Sequence, residues 1–292
     1  SIGATTAGFR RALPEATVFL YDNNSRDRTC AIAAAEGAIV RTERQQGKGH
    51  VVRRMFADVD ADIYIMADGD LTYDPGAAPA MVEMLVGEGL DMVVGTRRHE
   101  DKGAYRGGHV LGNRLFTGLL ARMFGRSFSD IFSGYRVFSR RFVKSFPVLS
   151  EGFEIETEMS VHALELRMPV GEIETAYGAR PDGSESKLST VRDGWRILRT
   201  IIMLYRIERP VLFYGTIGLL LFLTAVLLSI PLITTYAETG LVPRVPTAIL
   251  VTGMTIVAVL CFFAGLILDT VTRGRRGMRR LAYLAQPGVG AA

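Results

Sequence analysis

Two long apolar stretches near the end of the chain constrain its fold more than any other feature. Residues 211–234 and 248–268 contain no Asp, Glu, Lys or Arg. Each stretch has about the 20 residues that a helix needs to cross a bilayer. Two helices buried in a soluble core are the alternative, which uncharged segments of this length disfavour. The sequence therefore predicts a two-helix transmembrane hairpin over residues 211–272.

Arginine residues flank these two stretches. Arg206 and Arg209 precede the first stretch, and five arginines lie between residues 273 and 280, after the second. Positively charged residues next to membrane spans stay on the cytoplasmic side. We therefore expect a multi-pass protein of the inner (plasma) membrane. Its large N-terminal domain and a basic tail at residues 273–292 would both be cytoplasmic.

Residues 188–210 combine apolar and basic side chains just before the first stretch. An amphipathic basic helix is suited to the membrane surface, so a juxtamembrane segment in contact with membrane lipids is predicted here. An ordinary surface helix docked on the preceding domain is the alternative. The formal net charge of the chain is +4. Because none of the usual nucleic-acid-binding motifs occurs, nucleic acid is not an expected partner.

Residues 1–187 alternate short apolar runs with helical segments. This alternation predicts an α/β domain with a mostly parallel sheet that helices cover on both faces. The predicted strands are residues 16–21, 38–41, 63–67, 91–95 and 170–177. An α/β domain normally begins with a strand, whereas this sequence begins with helical residues. We therefore expect the sequence to begin inside the fold, without the opening strand.

An Asp-Gly-Asp sequence follows the apolar run at residues 63–67. Asp68 and Asp70 would lie at the carboxyl end of a buried strand, which is where ligands bind in open α/β sheets. Two carboxylates spaced by one residue are oxygen ligands suited to Mg²⁺ or Mn²⁺, with a substrate phosphate completing the coordination. An ordinary polar turn is the alternative, because Asp and Gly are common turn residues.

Basic residues that could contact phosphate oxygens lie in other predicted loops. Lys48 is in a Gly-Lys-Gly loop, Arg97 follows a predicted strand, and Arg114 lies further along the chain. Each could bind phosphate, or it could be a solvated surface residue. The phosphate-binding P-loop, the dinucleotide-binding glycine pattern and the serine hydrolase elbow are missing from the sequence. Kinases, dehydrogenases and hydrolases built on those motifs are therefore disfavoured.

Several short motifs occur in a fixed order along the chain. They are residues 21–27, 46–49, 67–70, 112–114, 130–136, 152–156 and 183–188. In this order, and followed by two apolar stretches, they resemble family 2 glycosyltransferases of the GT-A fold, and within them the polyprenyl-phosphate glycosyltransferases. The resemblance covers nearly the whole chain. It implies a Rossmann-like GT-A catalytic domain at residues 1–187.

The resemblance also implies roles for individual residues. Those expected to bind the nucleotide-sugar are Asp22, Asn24, Lys48, Asp68 and Arg97. Those expected to act in catalysis are Asp130, Asp70 and Arg114, and those expected to meet the acceptor phosphate are Arg136 and Lys187. A divalent metal, Mg²⁺ or Mn²⁺, would be held by Asp68 and Asp70. Thr72 stands where many relatives carry Gln on the metal side.

The expected function is transfer of a single sugar from a UDP- or GDP-sugar to polyprenyl phosphate at the cytoplasmic membrane face. The resemblance implies metal dependence, inversion and a place in cell-envelope glycan biosynthesis. A membrane-bound glycosyltransferase that acts on another lipid or glycan acceptor is the alternative. A catalytically silent membrane scaffold is disfavoured by the intact Asp68, Asp70 and Lys48. The sequence leaves the sugar, the lipid length and homo-oligomerisation open.

Overall fold

A computed structural model of the protein describes residues 1–99, 128–150, 154–178 and 205–290, with single positions 118, 152, 199, 202 and 203. The chain divides into two compact units. Residues 1–194 and 278–292 form the first unit, and residues 195–277 form the second. Most of the predicted juxtamembrane segment lies outside the described residues.

The first unit alternates strands with helices, as the sequence predicts. Its described strands are β1 (Phe19–Asp22), β2 (Ile39–Thr42), β3 (Ile63–Met66), β4 (Met92–His99), β5 (Arg136–Ser139) and β6 (Val170–Tyr177). Its described helices are α1 (Ile2–Ala12), α2 (Thr29–Ala35), α3 (Lys48–Asp58), α4 (Ala78–Gly87), α5 (Arg140–Ser145) and α6 (Ile155–Leu166). A single 3₁₀ turn, Pro75–Ala77, leads into α4.

The strands form two sheets rather than a mostly parallel one. β1 and β2 pair in parallel, and a separate four-stranded sheet has the order β3-β5-β4-β6. Strand β5, which the sequence analysis missed, is antiparallel to both β3 and β4, whereas β4 and β6 are parallel. All four residues of β5 are buried, including an arginine. It therefore lacks the alternation of apolar and polar residues that identifies a half-buried strand.

Helices cover both faces of the four-stranded sheet. On one face, Val137 of β5 packs in a buried cluster with Met81 and Leu85 of α4. On the other face, the ring of Phe138 stacks on Phe142 of α5 with a centroid distance of 4.7 Å. Successive strand residues point to opposite faces, so β5 joins the two halves of the core.

The last residues of the chain pack against the first unit. The Tyr283 hydroxyl donates to Asp91 Oδ2 at 2.8 Å, and the Arg279 guanidinium lies 2.6 Å from Glu165 Oε2. The side chains of Asp91 and Glu165 are both 0% exposed. A buried carboxylate needs such partners to offset its lost hydration. The final residues therefore belong to the packing of the first unit.

Two long apolar helices account for most of the second unit. They are α7 (Pro210–Thr239) and α8 (Val245–Leu284), and both are long and apolar enough to cross a membrane. Large apolar side chains along them are exposed, for example Leu227 at 66% and Ile249 at 68%. Within the described structure, neither helix is buried as a core helix would be. The sequence predicts that a basic tail begins at residue 273. Helix α8 continues past this position to Leu284.

Small residues let α7 and α8 approach each other closely. Gly218, Ala225, Ala258 and Gly265 are buried in the second unit. A Cβ added to Gly218 would lie 2.9 Å from the carbonyl oxygen of Ala258, so only glycine fits there. Close approach at small residues is the usual packing of helices within a bilayer, where it gains van der Waals contact.

The ion pair of Arg279 with Glu165 should contribute measurably to stability. Replacing Arg279 with Met removes the cationic partner at 2.6 Å from a fully buried carboxylate, which should cost on the order of 3 kcal/mol. Arg280 is exposed, so Arg280→Met is the matched control and should change little. Thermal unfolding midpoints of the full chain in detergent measure the difference. Equal midpoints for the two variants would contradict this role.

Candidate active site

The Asp-Gly-Asp sequence forms a turn directly after strand β3. Asp70 Oδ1 accepts a hydrogen bond from the Thr72 hydroxyl at 2.6 Å and from the Thr72 backbone N–H at 3.3 Å. Leu71, between them, has a φ of 63°. That left-handed conformation is uncommon for a residue other than glycine and often marks a functional site. Thr72 therefore orients Asp70 within a strained turn.

Lys48 lies beside this turn, at the first residue of α3. Its Nζ atom is 2.6 Å from Asp68 Oδ1 and 2.5 Å from Glu156 Oε1. Burial alone would lower the pKa of Lys48, but the negative charges of Glu156 and Asp68 outweigh burial and raise that pKa. Lys48 is therefore a permanent cation shared by two carboxylates. Glu156 lies in a motif that the sequence analysis used, yet no role was predicted for it.

Arg97 and Asp130 form a second buried ion pair. Arg97 Nε and Nη2 donate to the two carboxylate oxygens of Asp130 at 2.7 and 2.8 Å. The guanidinium also lies over the ring of Tyr177, 5.5 Å from its centroid. Burial would raise the pKa of Asp130, but the hydrogen bonds and the charge of Arg97 lower it below its usual value. Asp130 is therefore ionised, and its two oxygens are engaged by Arg97.

Arg136 lies inside the protein rather than at the site surface. Its side chain is fully buried, and it donates to the carbonyl oxygens of Ser133 and Ile131 and to the Ser160 hydroxyl. Burial lowers the pKa of Arg136 to about 10. This placement argues against the expected contact with an acceptor phosphate, because a fully buried guanidinium cannot reach one. Arg136 instead holds the loop before β5.

Two of the residues expected to bind the nucleotide-sugar, Asp22 and Asn24, lie at and just after the end of β1. The Asp22 carboxylate accepts from the Ser25 backbone N–H at 3.2 Å. Asn24 has a φ of 65° and donates to the carbonyl oxygen of Arg44 at 3.0 Å. Asn tolerates this left-handed conformation better than most residues do. Both side chains thus stabilise the loops that lead to Lys48.

Gly134 and Tyr73 lie beside the ion pair of Lys48 and Asp68. A Cβ on Gly134 would lie 2.8 Å from Asp68 Oδ2 and 3.1 Å from Lys48 Nζ, so the backbone closes directly over that pair. The Gly134 N–H donates to the Tyr73 hydroxyl at 2.8 Å. Burial first, and then the charge of Asp68, raises the pKa of Tyr73 to about 12.

Arg114 and Lys187, two further predicted site residues, lie outside the described residues.

The carboxylates at this turn have the chemistry that a divalent metal requires. Asp68 and Asp70 offer hard oxygen donors, of the kind that Mg²⁺ and Mn²⁺ prefer. Among the described residues, no group of three or more His, Cys, Asp or Glu side chains could hold a metal. A metal here would therefore take its remaining ligands from phosphate oxygens and water, as Mg²⁺ commonly does in nucleotide sites. The residues present fit such an ion.

Comparison with known proteins gives a consistent set of relatives. A family model described as Glycosyl transferase family 2 matches residues 2–146. An uncharacterized protein of Shigella flexneri is 54% identical over 154 residues, which span 53% of this chain and 94% of that protein. Glycosyltransferase AglJ of Haloferax volcanii is 35% identical over 205 residues, which span 70% of this chain and 67% of AglJ.

Two further similarities are weaker in sequence. A dolichyl-phosphate hexose transferase of Haloferax volcanii is 24% identical over 209 residues, which span 72% of this chain and 90% of that protein. A glucosyl-3-phosphoglycerate synthase from Mycobacterium tuberculosis, solved with Mn²⁺, UDP-glucose and phosphoglyceric acid, superposes with a TM-score of 0.55 at 22% identity. This superposition covers 70% of our chain and 75% of the synthase. At that identity the likeness shows a shared fold.

The ion pair of Asp130 should make stability depend on pH. The pKa of Asp130 is lower in the folded than in the unfolded protein. Its stabilising contribution is therefore present above the unfolded pKa of about 3.9 and is lost as the pH falls through the folded pKa. Asp130→Asn should lower the thermal unfolding midpoint at pH 7. The difference in unfolding midpoint between Asp130→Asn and the wild type should shrink below about pH 4.

An exposed aspartate of the first unit, Asp62, supplies the control for this prediction. The side chain of Asp62 is 95% exposed, so Asp62→Asn should change the unfolding midpoint little at either pH. If the difference in unfolding midpoint between wild type and Asp130→Asn stays constant from pH 7 to pH 3, the lowered pKa of Asp130 is contradicted.

Proposed function

Because the chain belongs to glycosyl transferase family 2, we propose that it transfers a single sugar from a UDP- or GDP-sugar to polyprenyl phosphate. The observation that carries the proposal is the placement of the Asp68–Asp70 turn against the buried cation Lys48. Carboxylates for a metal and an ammonium for phosphate lie together there. This pairing suits the diphosphate of a nucleotide-sugar.

The donor diphosphate would bind at the turn after β3. Asp70, oriented by Thr72, and Asp68 would hold Mg²⁺ or Mn²⁺, which when bound neutralises the leaving diphosphate as a Lewis acid. Lys48 would add a fixed positive charge beside it, and Asp22 and Asn24 would shape the loops around the nucleoside. Mn²⁺ and UDP-glucose, which the synthase of the same fold contains, are therefore suitable probes.

The proposal of a lipid phosphate acceptor has two supports. The chain carries two helices long and apolar enough to cross a membrane, and one relative is named a dolichyl-phosphate hexose transferase. Arginines beside the apolar stretches favour a cytoplasmic catalytic domain in the inner membrane. Lys187 stays a candidate for contact with the acceptor phosphate, and Arg114 stays a candidate for catalysis.

A phosphate acceptor needs no general base, which is consistent with an Asp130 that is held by Arg97. A phosphate monoester is already an anion, so its oxygen can attack the anomeric carbon without losing a proton to a base. The bond from that carbon to the donor diphosphate breaks, and the nucleoside diphosphate leaves with the electron pair. A single displacement of this kind inverts the anomeric centre. Asp130, ionised and held by Arg97, would orient groups near the sugar rather than take a proton.

Sugar transfer can be measured directly. Purified protein would be incubated with Mn²⁺, polyprenyl phosphate and a panel of labelled UDP- and GDP-sugars, and label would be counted in the organic phase. We expect label from one donor and a loss of at least about a hundredfold for Asp70→Asn, which weakens the metal site. No lipid-linked label with any donor would contradict the acceptor. Unchanged turnover by Asp70→Asn would contradict the metal role.

The Thr72 hydroxyl should affect metal affinity through Asp70. Thr72→Val keeps the shape of the side chain but removes the hydrogen bond to Asp70. Loss of such a supporting contact typically weakens metal binding about 10- to 100-fold. The Mn²⁺ dissociation constant with UDP or GDP present measures the effect. The wild-type protein is the reference.

Thr29 provides a closely matched control for this change. Its hydroxyl donates to Asp27 Oδ1 at 2.5 Å, which is the same bond to an aspartate two residues earlier, but at the exposed start of α2. Thr29→Val should leave the Mn²⁺ dissociation constant unchanged. Equal Mn²⁺ affinity in Thr72→Val and Thr29→Val would refute the role of Thr72.

A further inference from the structure

Glu156 is a buried carboxylate that the predicted site does not include. It lies in the first turn of α6, and its side chain is 6% exposed. Its Oε1 atom is 2.5 Å from Lys48 Nζ, whereas Oε2 is buried and has no hydrogen-bond partner among the described residues. An unsatisfied buried carboxylate oxygen costs stability and needs an explanation.

The two carboxylates that share Lys48 differ in exposure. The Asp68 side chain is 38% exposed and that of Glu156 is 6% exposed. A ligand that arrives from solvent therefore meets Asp68 before Glu156. Glu156 lies on the inner side of Lys48. The pair thus has one exchangeable and one fixed carboxylate.

Lys48 requires at least one of these partners at all times. It lies at the N-terminal end of α3, where the helix dipole disfavours a cation, and burial disfavours its charge further. If Asp68 were its sole partner, turning Asp68 toward a metal would leave the ammonium buried and unpaired, which is costly. A second, fixed carboxylate removes that obstacle.

We propose that Glu156 is a positioning residue that holds Lys48 in place while Asp68 is released to a donor-bound divalent metal. The inference rests on the proposed function, because it takes a metal and a nucleoside diphosphate as the ligands of the Asp68–Asp70 turn. Glu156 keeps the ammonium fixed beside the diphosphate. Asp68 changes its partner from Lys48 to the incoming ligand.

Mn²⁺ binding to the full chain tests this inference. The protein would be titrated in detergent with Mn²⁺ at saturating UDP or GDP, and the loss of the free Mn²⁺ paramagnetic resonance signal would be followed. Glu156→Gln removes the fixed charge, so Lys48 depends on Asp68 alone and Asp68 becomes less available. The Mn²⁺ dissociation constant should rise about tenfold.

Glu158 supplies the matched control. It lies in the same first turn of α6 and loses the same charge in Glu158→Gln, but its carboxylate accepts from the backbone N–H groups of Leu149 and Ser150. Mn²⁺ affinity should therefore stay at the wild-type value. Glu156→Asp keeps the negative charge and should bind Mn²⁺ more tightly than Glu156→Gln, which provides a second variant if the Gln protein folds poorly.

A double-variant cycle separates positioning from a general structural role. If Glu156 acts through Lys48, adding Glu156→Gln to Lys48→Met should change Mn²⁺ affinity less than twofold, against tenfold in the wild-type background. Equal losses in both backgrounds, or wild-type affinity in Glu156→Gln, would overturn the inference alone. A wild-type protein that binds no Mn²⁺ with either UDP or GDP would overturn the proposed function as well.

Discussion

The ammonium of Lys48 lies buried between Asp68 and Glu156, and the candidate site is built around this interaction. Lys48 begins helix α3, Asp68 follows strand β3, and Glu156 lies in the first turn of α6. One ion cluster therefore joins three elements that are distant in sequence. Because Lys48 and Glu156 are largely removed from water, each of these two charges needs the other to be stable there. The ends of these elements are thereby fixed where the donor diphosphate would bind.

Two further buried cations complete this arrangement. Arg136 is fully buried and donates to carbonyl oxygens of the loop before β5. Arg97 donates to both carboxylate oxygens of Asp130. Neither guanidinium is a loose surface charge. Some basic residues of the site therefore hold loops in place, and others would face the ligands. Among these charged groups, Asp68 is the most exposed to solvent, and it is the one that we propose to be released to the metal.

Much of this could be predicted from the sequence, and the misses have physical causes. The α/β fold of the GT-A type, the glycosyltransferase activity and the two apolar helices are confirmed. Strand β5 was missed because burial on both faces removes its polar alternation. The burial of Arg136 was not foreseen because sequence does not reveal which arginines are buried. Glu156 was overlooked because its partner, Lys48, is more than a hundred positions away.

A structure of the full chain with Mn²⁺ and either UDP or GDP would test the central claim most directly. We predict that Mn²⁺ binds at the Asp68–Asp70 turn together with the diphosphate. We also predict that Lys48 Nζ stays within hydrogen-bond distance of Glu156 when Asp68 no longer contacts Lys48. A nucleotide bound away from residues 68–70, or a metal without a carboxylate of this turn, would contradict the central claim.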